Sequence, residues 1–230
     1  MRDMQKNPQY WESVEEDRME TIHINEGIMK KGPRSEEHRN RLRLSRLDTE
    51  FELFLAAYSK GAPLEQCREM YLQCLRCSED LWKRKTNYTD LVWYVALGVL
   101  FRVEPQDAAI LERITVATGC ADQLTCAFLR ALNPNNTVRV MDDVPHPYRV
   151  ACAVLDMDCQ KAESALVKYL ERTWYQGQKT QLWHDNHKLG GYHYLGYWSF
   201  ETAALVRILG LNDEKLKKSP YYPPDLADYQ

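Results

Sequence analysis

Between Arg39 and Gly61 the chain repeats its large apolar side chains every three or four residues, at Leu44, Leu47, Phe51, Phe54, Leu55 and Tyr58. That spacing lines one face of an α-helix but scatters over both faces of a strand. The segment can therefore be stable only as a helix lying on an apolar partner. Its ends agree. Ser35 can accept a hydrogen bond from an otherwise unpaired backbone N–H, Glu36 and Glu37 suit the positive end of the dipole, and Lys60-Gly61 suits the other end.

The same period recurs along the chain. Residues 10–29 carry Trp11, Val14, Ile22 and Ile28 among many charges, before Gly32-Pro33 breaks the pattern. Pro63 fits the first turn of a helix whose stripe is Leu64, Cys67, Met70, Tyr71, Cys74, Leu75, Ser78 and Leu81. Asn87 can cap the run Leu91 to Phe101, which is apolar on every side and reads as a buried core helix. Pro105 opens another helix, and Leu124, Phe128, Leu129 and Leu132 mark a short one stopped at Asn133-Pro134. Val150 to Leu155, Ala162 to Trp174 and Ser199 to Leu209 complete the series. The tail SPYYPPDLADYQ is expected to be extended, because its prolines oppose helix. Residues 133–148 are irregular, and Thr137 to Met141 is the best strand candidate, a weak one. The expected fold is all-α and multi-helix, bundle-like, with helical domains at 1–118 and 119–230.

Composition narrows the function. A net charge of −3 argues against a nucleic-acid binder, which would carry a basic excess. The eleven residues of Leu91–Phe101 fall short of the roughly 20 needed to span a bilayer, so no membrane role is expected. Seven cysteines, an odd number, follow a start without an apolar signal core. Free thiols in a reducing cytoplasm are expected. Cys74 and Cys77 have C-x-x-C spacing but no second pair at zinc-site distance. His184, Asp185 and His187, with His193 beyond, form the one histidine cluster and offer a metal-dependent hydrolase as an alternative. No HExxH, phosphate-binding glycine loop or GxSxG accompanies it. No cofactor and no catalytic residue is expected. A helical protein-interaction adaptor is the other alternative, and homo-oligomers are compatible with the sequence.

The densest aromatic stretch is Tyr192, Tyr194, Tyr197, Trp198 and Phe200, interleaved with Gly190, Gly191 and Gly196. Ser199 reads as an N-cap, and Glu201 sits where the helix dipole or a buried arginine would favour it. Ala203, Ala204, Leu205, Ile208 and Leu209 behind it permit close packing. The run Gly196-Tyr197-Trp198-Ser199-Phe200-Glu201, then Ile208-Leu209-Gly210-Leu211, then Tyr221-Tyr222-Pro223-Pro224-Asp225-Leu226, resembles the C-terminal signature of PoNi-type immunity proteins. Leu55 to Gly61 and the helix leading to Trp82 are similar to that family's first domain. Pro224 stands where the family pattern has an aromatic.

The resemblance implies an all-helical immunity protein. Its partner would be a cognate PoNe-type DNase toxin of bacterial type VI secretion and related systems, neutralised by covering the DNA-binding or active site. Signature residues Gly196 to Glu201, Tyr221, Tyr222, Pro223, Asp225 and Leu226 are expected to be mainly structural. A DNase must present cations to phosphates, so carboxylates are the natural inhibitor groups. Glu12, Glu15, Glu16, Asp17 and Glu20 form one candidate tract. Asp142, Asp143, Asp156 and Asp158 form the other. Far-UV circular dichroism is expected to show a helix-dominated spectrum, and a substantial strand component would overturn the fold class.

Overall fold

Ser35 and Asn87 cap the helices that the sequence has them open. In a computed structural model that describes residues 1–85 and 87–230, α1 (Pro8–Lys31) starts on Asn7, whose side chain accepts from Tyr10 N, and α2 (Glu36–Lys60) starts on Ser35, which accepts from His38 N. α3 (Leu64–Ser78) follows and tightens into a 3₁₀ segment, Glu79–Arg84. Then come α4 (Tyr88–Leu100), capped by Asn87, α5 (Pro105–Thr118) and α6 (Gln123–Leu132). After an irregular stretch lie α7 (Tyr148–Cys152), α8 (Cys159–Lys168) with its π-helical continuation Tyr169–Trp174, and the short α9 (Tyr175–Gly177). α10 (Phe200–Leu209) and α11 (Pro224–Asp228) complete the chain. No strand occurs among the described residues, and the fold is all-α. Thr137 to Met141 runs as irregular coil.

Contacts gather the chain into two compact units, Met1–Leu81 with Asp185–Gly196, and Trp82–His184 with Tyr197–Gln230. These units follow packing, whereas the division at 118/119 follows chain order. Helices α4 and α5 precede that division in sequence, yet both pack with α6, and α4 with α10, in the second unit.

In the first unit α1 packs on α2, and α2 on α3. The shared core holds Trp11, Val14, Leu47, Phe54, Tyr58, Tyr71 and Leu75. Leu42 is buried there in place of Leu44, which is only half-buried. The C-terminal carbonyls of α2 have a dedicated donor, because the Arg2 guanidinium reaches Tyr58 O and Ala62 O and lies 4.5 Å from the Tyr58 ring centre. Gly61 ends α2 at φ +102°, and a Cβ there would come within 2.9 Å of Met1 N. The segment Asp185–Gly196 lies along this helix pair. Tyr194 O and N both bond the Tyr10 hydroxyl at 3.0 Å, Arg18 donates to Tyr192 O, and Ser59 donates to Leu195 O.

In the second unit α4 is the axis. Every residue from Leu91 to Leu100 is buried, as expected of a helix apolar all round. α10 lies against it, with Phe200 edge-on to Trp93 at 5.8 Å and with Ala203 and Ala204 buried. Arg207 then closes the base. Its guanidinium donates to Val99 O and Leu100 O at the end of α4, and to Leu226 O, Ala227 O and Tyr229 O at the end of α11. That anchoring gives the tail a helical turn at Pro224–Asp228, where proline content alone pointed to an extended strand-like run. Pro224 is tolerated because it occupies the first turn.

Replacing Arg207 by Met strips five helix-terminal carbonyls of their charged donor. We expect a loss of about 2–3 kcal/mol in urea unfolding, with faster proteolysis after Leu211. Wild-type behaviour in both assays would show that water serves these carbonyls equally well.

Candidate functional site

From Tyr197 onward the signature residues build the interior of the second unit around one carboxyl group. Glu201, in the first turn of α10, is fully buried. No arginine meets it. Its Oε1 accepts from Ser199 Oγ at 2.7 Å and from the Tyr169 hydroxyl at 3.1 Å. Ser199 occupies the cap position, but its side chain serves Glu201 and Thr202 instead of a backbone N–H. The π-helical turn explains how Tyr169 and Trp174 both reach the group. Residues five apart on an α-helix diverge by about 140° at 3.6 residues per turn, whereas i→i+5 bonding brings them to one side. Glu201 Oε2 and Trp174 Nε1 are both buried without a hydrogen-bond partner among the described residues. Burial pushes the Glu201 pKa up to about 7, against the opposing pull of the Ser199 hydroxyl, its own backbone N–H and the Tyr169 hydroxyl. A lone carboxylate is costly in such surroundings, and the proton relieves that cost.

Around this centre the rings interlock. Trp174 lies 4.9 Å from Tyr221 and 5.6 Å from Trp183, Tyr175 stacks parallel to Tyr221, and Tyr197 packs on both Tyr175 and Trp183. Trp198, Phe200, Tyr222, Pro223 and Leu226 are buried. The two halves of the signature meet where Ser199 N donates to Tyr221 O at 2.8 Å. Gly196 is held at φ +93°, which a side chain would oppose. The Tyr222 hydroxyl donates to Asp213, and Asp225 accepts from its neighbour Leu226 N.

The acidic tracts fall out differently. On α1, Glu15 pairs with Lys60 at 2.8 Å and Asp17 with Arg18. Glu12, Glu16 and Glu20 are exposed and enter no ion pair among the described residues. In the second unit Asp142 and Asp143 are exposed on the irregular segment, beside the exposed Val140 and Met141. Asp156 accepts a long 3.4 Å bond from Gln123. Asp158 is committed locally, capping α8 through Lys161 N and pairing with Lys161 Nζ, which holds its pKa below the usual carboxylate range. Sequence reasoning missed Arg207 and Arg18. The signal available for Arg207 was a lone charge on the otherwise apolar run from Ala203 to Leu209.

His184 stacks on Tyr175 at 4.3 Å, Asp185 pairs with Lys188, and His187 faces Tyr194 edge-on. No group of three His, Cys, Asp or Glu among the described residues is placed to hold a metal ion. Cys74 is buried and Cys77 exposed on α3. No helix among the described residues is long and apolar enough to cross a membrane.

A buried glutamate held by an aromatic cage, with exposed carboxylates on the outer helix surface, is built into an all-helical protein. Two models of one family, PoNe immunity protein (PoNi), N-terminal, and PoNe immunity proteins (PoNi), C-terminal, match residues 2–113 and 120–226, and the chain belongs to that family. It is an immunity protein that neutralises a cognate PoNe nuclease toxin. The fold is similar to the crystal structure of protein PA2201 from Pseudomonas aeruginosa, with a TM-score of 0.71 at 17% identity over 99% of this chain and 89% of that one. No curated protein matches the chain.

The Glu201 carboxyl makes stability fall as pH rises. Its folded pKa lies above the ordinary 4.5 at about 7, so its contribution is complete below pH 4.5 and lost as pH passes 7. The difference corresponds to about 3 kcal/mol. Glu201→Gln should gain on wild type between pH 5 and 8 in thermal unfolding. Parallel pH profiles for the two proteins would refute a titrating Glu201.

Proposed function

We propose that this chain binds its toxin through surface carboxylates and so covers the cations with which the nuclease holds DNA. The observation that carries the reading is a set of exposed acids with no ion pair among the described residues, Glu12, Glu16 and Glu20 on α1 and Asp142 and Asp143 on the irregular segment, on the scaffold of a nuclease-immunity family. Glu15, Asp17, Asp156 and Asp158 belong to the same tracts and would add to the field, although each already has a local partner. A nuclease cleft concentrates positive charge for phosphates, and opposed charge speeds encounter and sets partner choice.

The action is stoichiometric binding without catalysis or cofactor, in the bacterial cytoplasm, against toxins delivered by type VI or related secretion. Seven free thiols fit a reducing compartment. The gap between the matched segments, from 113 to 120, supports 1–118 and 119–230 as the two inherited parts. The signature residues hold the core, and the toxin contacts lie elsewhere.

Co-expression should rescue bacteria from the PoNe-type nuclease encoded beside this chain while unrelated toxins still kill. The purified proteins should form a complex without DNA that blocks cleavage. Chelation with EDTA should leave folding and binding unchanged. Survival no better than that of unprotected cells would refute the immunity role, and stoichiometric metal lost with His184→Ala would revive the hydrolase alternative.

A further inference from the structure

α1 divides into two faces. At about 100° per residue, Trp11, Val14, Ile22 and Asn25 share the buried side. Glu12, Glu16, Met19, Glu20, His23 and Ile24 occupy one outward sector, all exposed. Three of these are carboxylates at i, i+4 and i+8, an arrangement in which like charges repel. Nothing on the sector offsets them. Between Pro8 and Met29 the one arginine is Arg18, which turns inward to Asp17 and Glu52. Acids on the neighbouring α2 are treated otherwise, with Glu36, Glu37, Glu50 and Glu52 each meeting an arginine. The row on α1 is therefore the uncompensated one, and exposed Met19 (44%) and Ile24 (56%) flank it.

We propose that this outward face of α1 is the surface that docks on the basic, DNA-holding face of the nuclease toxin. The proposal rests on the immunity function and goes beyond it by choosing the face. Four residues of helix rise about 6 Å, close to two phosphates of a DNA strand at about 3.4 Å each along the axis. Successive carboxylates of the row can thus meet cations placed for every second phosphate. Met19 and Ile24 supply apolar area that excludes water around those pairs, as at the cores of protein interfaces. The helix holds the row in place before binding, so little ordering cost falls on association. Asp142 and Asp143 lie on an irregular segment, bonded to Ala121 O through Met141 N and Asp142 N, and form no such row. A second copy of this chain is a poor occupant, because two such rows repel.

The test is binding of the full chain to a catalytically inactivated form of the nuclease encoded beside it, by stopped-flow and calorimetry at 0.05 M and 0.5 M salt. The triple variant Glu12→Lys, Glu16→Lys, Glu20→Lys should keep wild-type helicity and melting. Its Kd should rise at least about tenfold at low salt, chiefly through slower association. That difference should shrink at high salt, where screening shortens to a few Å. Glu12→Gln, Glu16→Gln, Glu20→Gln should show a smaller loss in the same direction, and Met19→Ser with Ile24→Ser should speed dissociation. Binding of the folded triple variant within twofold of wild type would overturn the proposal. So would the loss falling on Asp142→Lys with Asp143→Lys instead, or a wild-type dimer that the triple variant dissolves. Wild-type protein that fails to bind the nuclease at all would sink the immunity reading, and this proposal with it.

Discussion

A helix without a polar face must be enclosed on every side, and α4 imposes that requirement on the second unit. From Leu91 to Leu100 no residue can face water without exposing apolar area worth about 25 cal/mol per Å². α5, α6 and α10 answer it by packing against that axis. Enclosure leaves the end of α4 with carbonyls that have no helical partner. Arg207 meets that need and in the same act ties down the C-terminal turn. A residue that reads as an ordinary helix-end cation is therefore the joint between the end of α4 and the tail.

The polar centre of the same unit follows another constraint. A carboxyl group in a dry core needs donors or a proton, and Glu201 has hydroxyl donors and no cation. The π-helical turn is the local cost of bringing Tyr169 and Trp174 to one side. The rings of the aromatic signature pack on each other and on this centre.

The first unit relies on a different device, a peripheral segment fastened by backbone bonds. Asp185 to Gly196 has no regular period, and its main chain is satisfied one group at a time by Tyr10, Arg18 and Ser59. Arg18 is used inward for this and for Glu52, which is what leaves the outward carboxylates of α1 without a neighbouring cation. Structural demand on one side of the helix and charge on the other are thus coupled through a single residue.

Local chemistry was enough to set the helices and their limits. The three- and four-residue spacing of Leu47, Phe51, Phe54 and Tyr58, the caps at Ser35 and Asn87, and the stops at Gly61 and Gly210 act within a few residues, so they are legible without any knowledge of the fold. The family signature was legible for the same reason, as a fixed order of rings and glycines. What depended on distant partners was not. Leu42 replaced Leu44 in the core, Ser199 gave up capping for Glu201, and the tail took a helical turn because Arg207 was there to receive it. The tertiary structure alone also separated the acids. Glu15 and Glu16 are adjacent in sequence and alike in chemistry, yet one lies beside Lys60 and the other faces water. An ion pair is a property of two positions in space, and only packing decides which carboxylates are left to meet a partner.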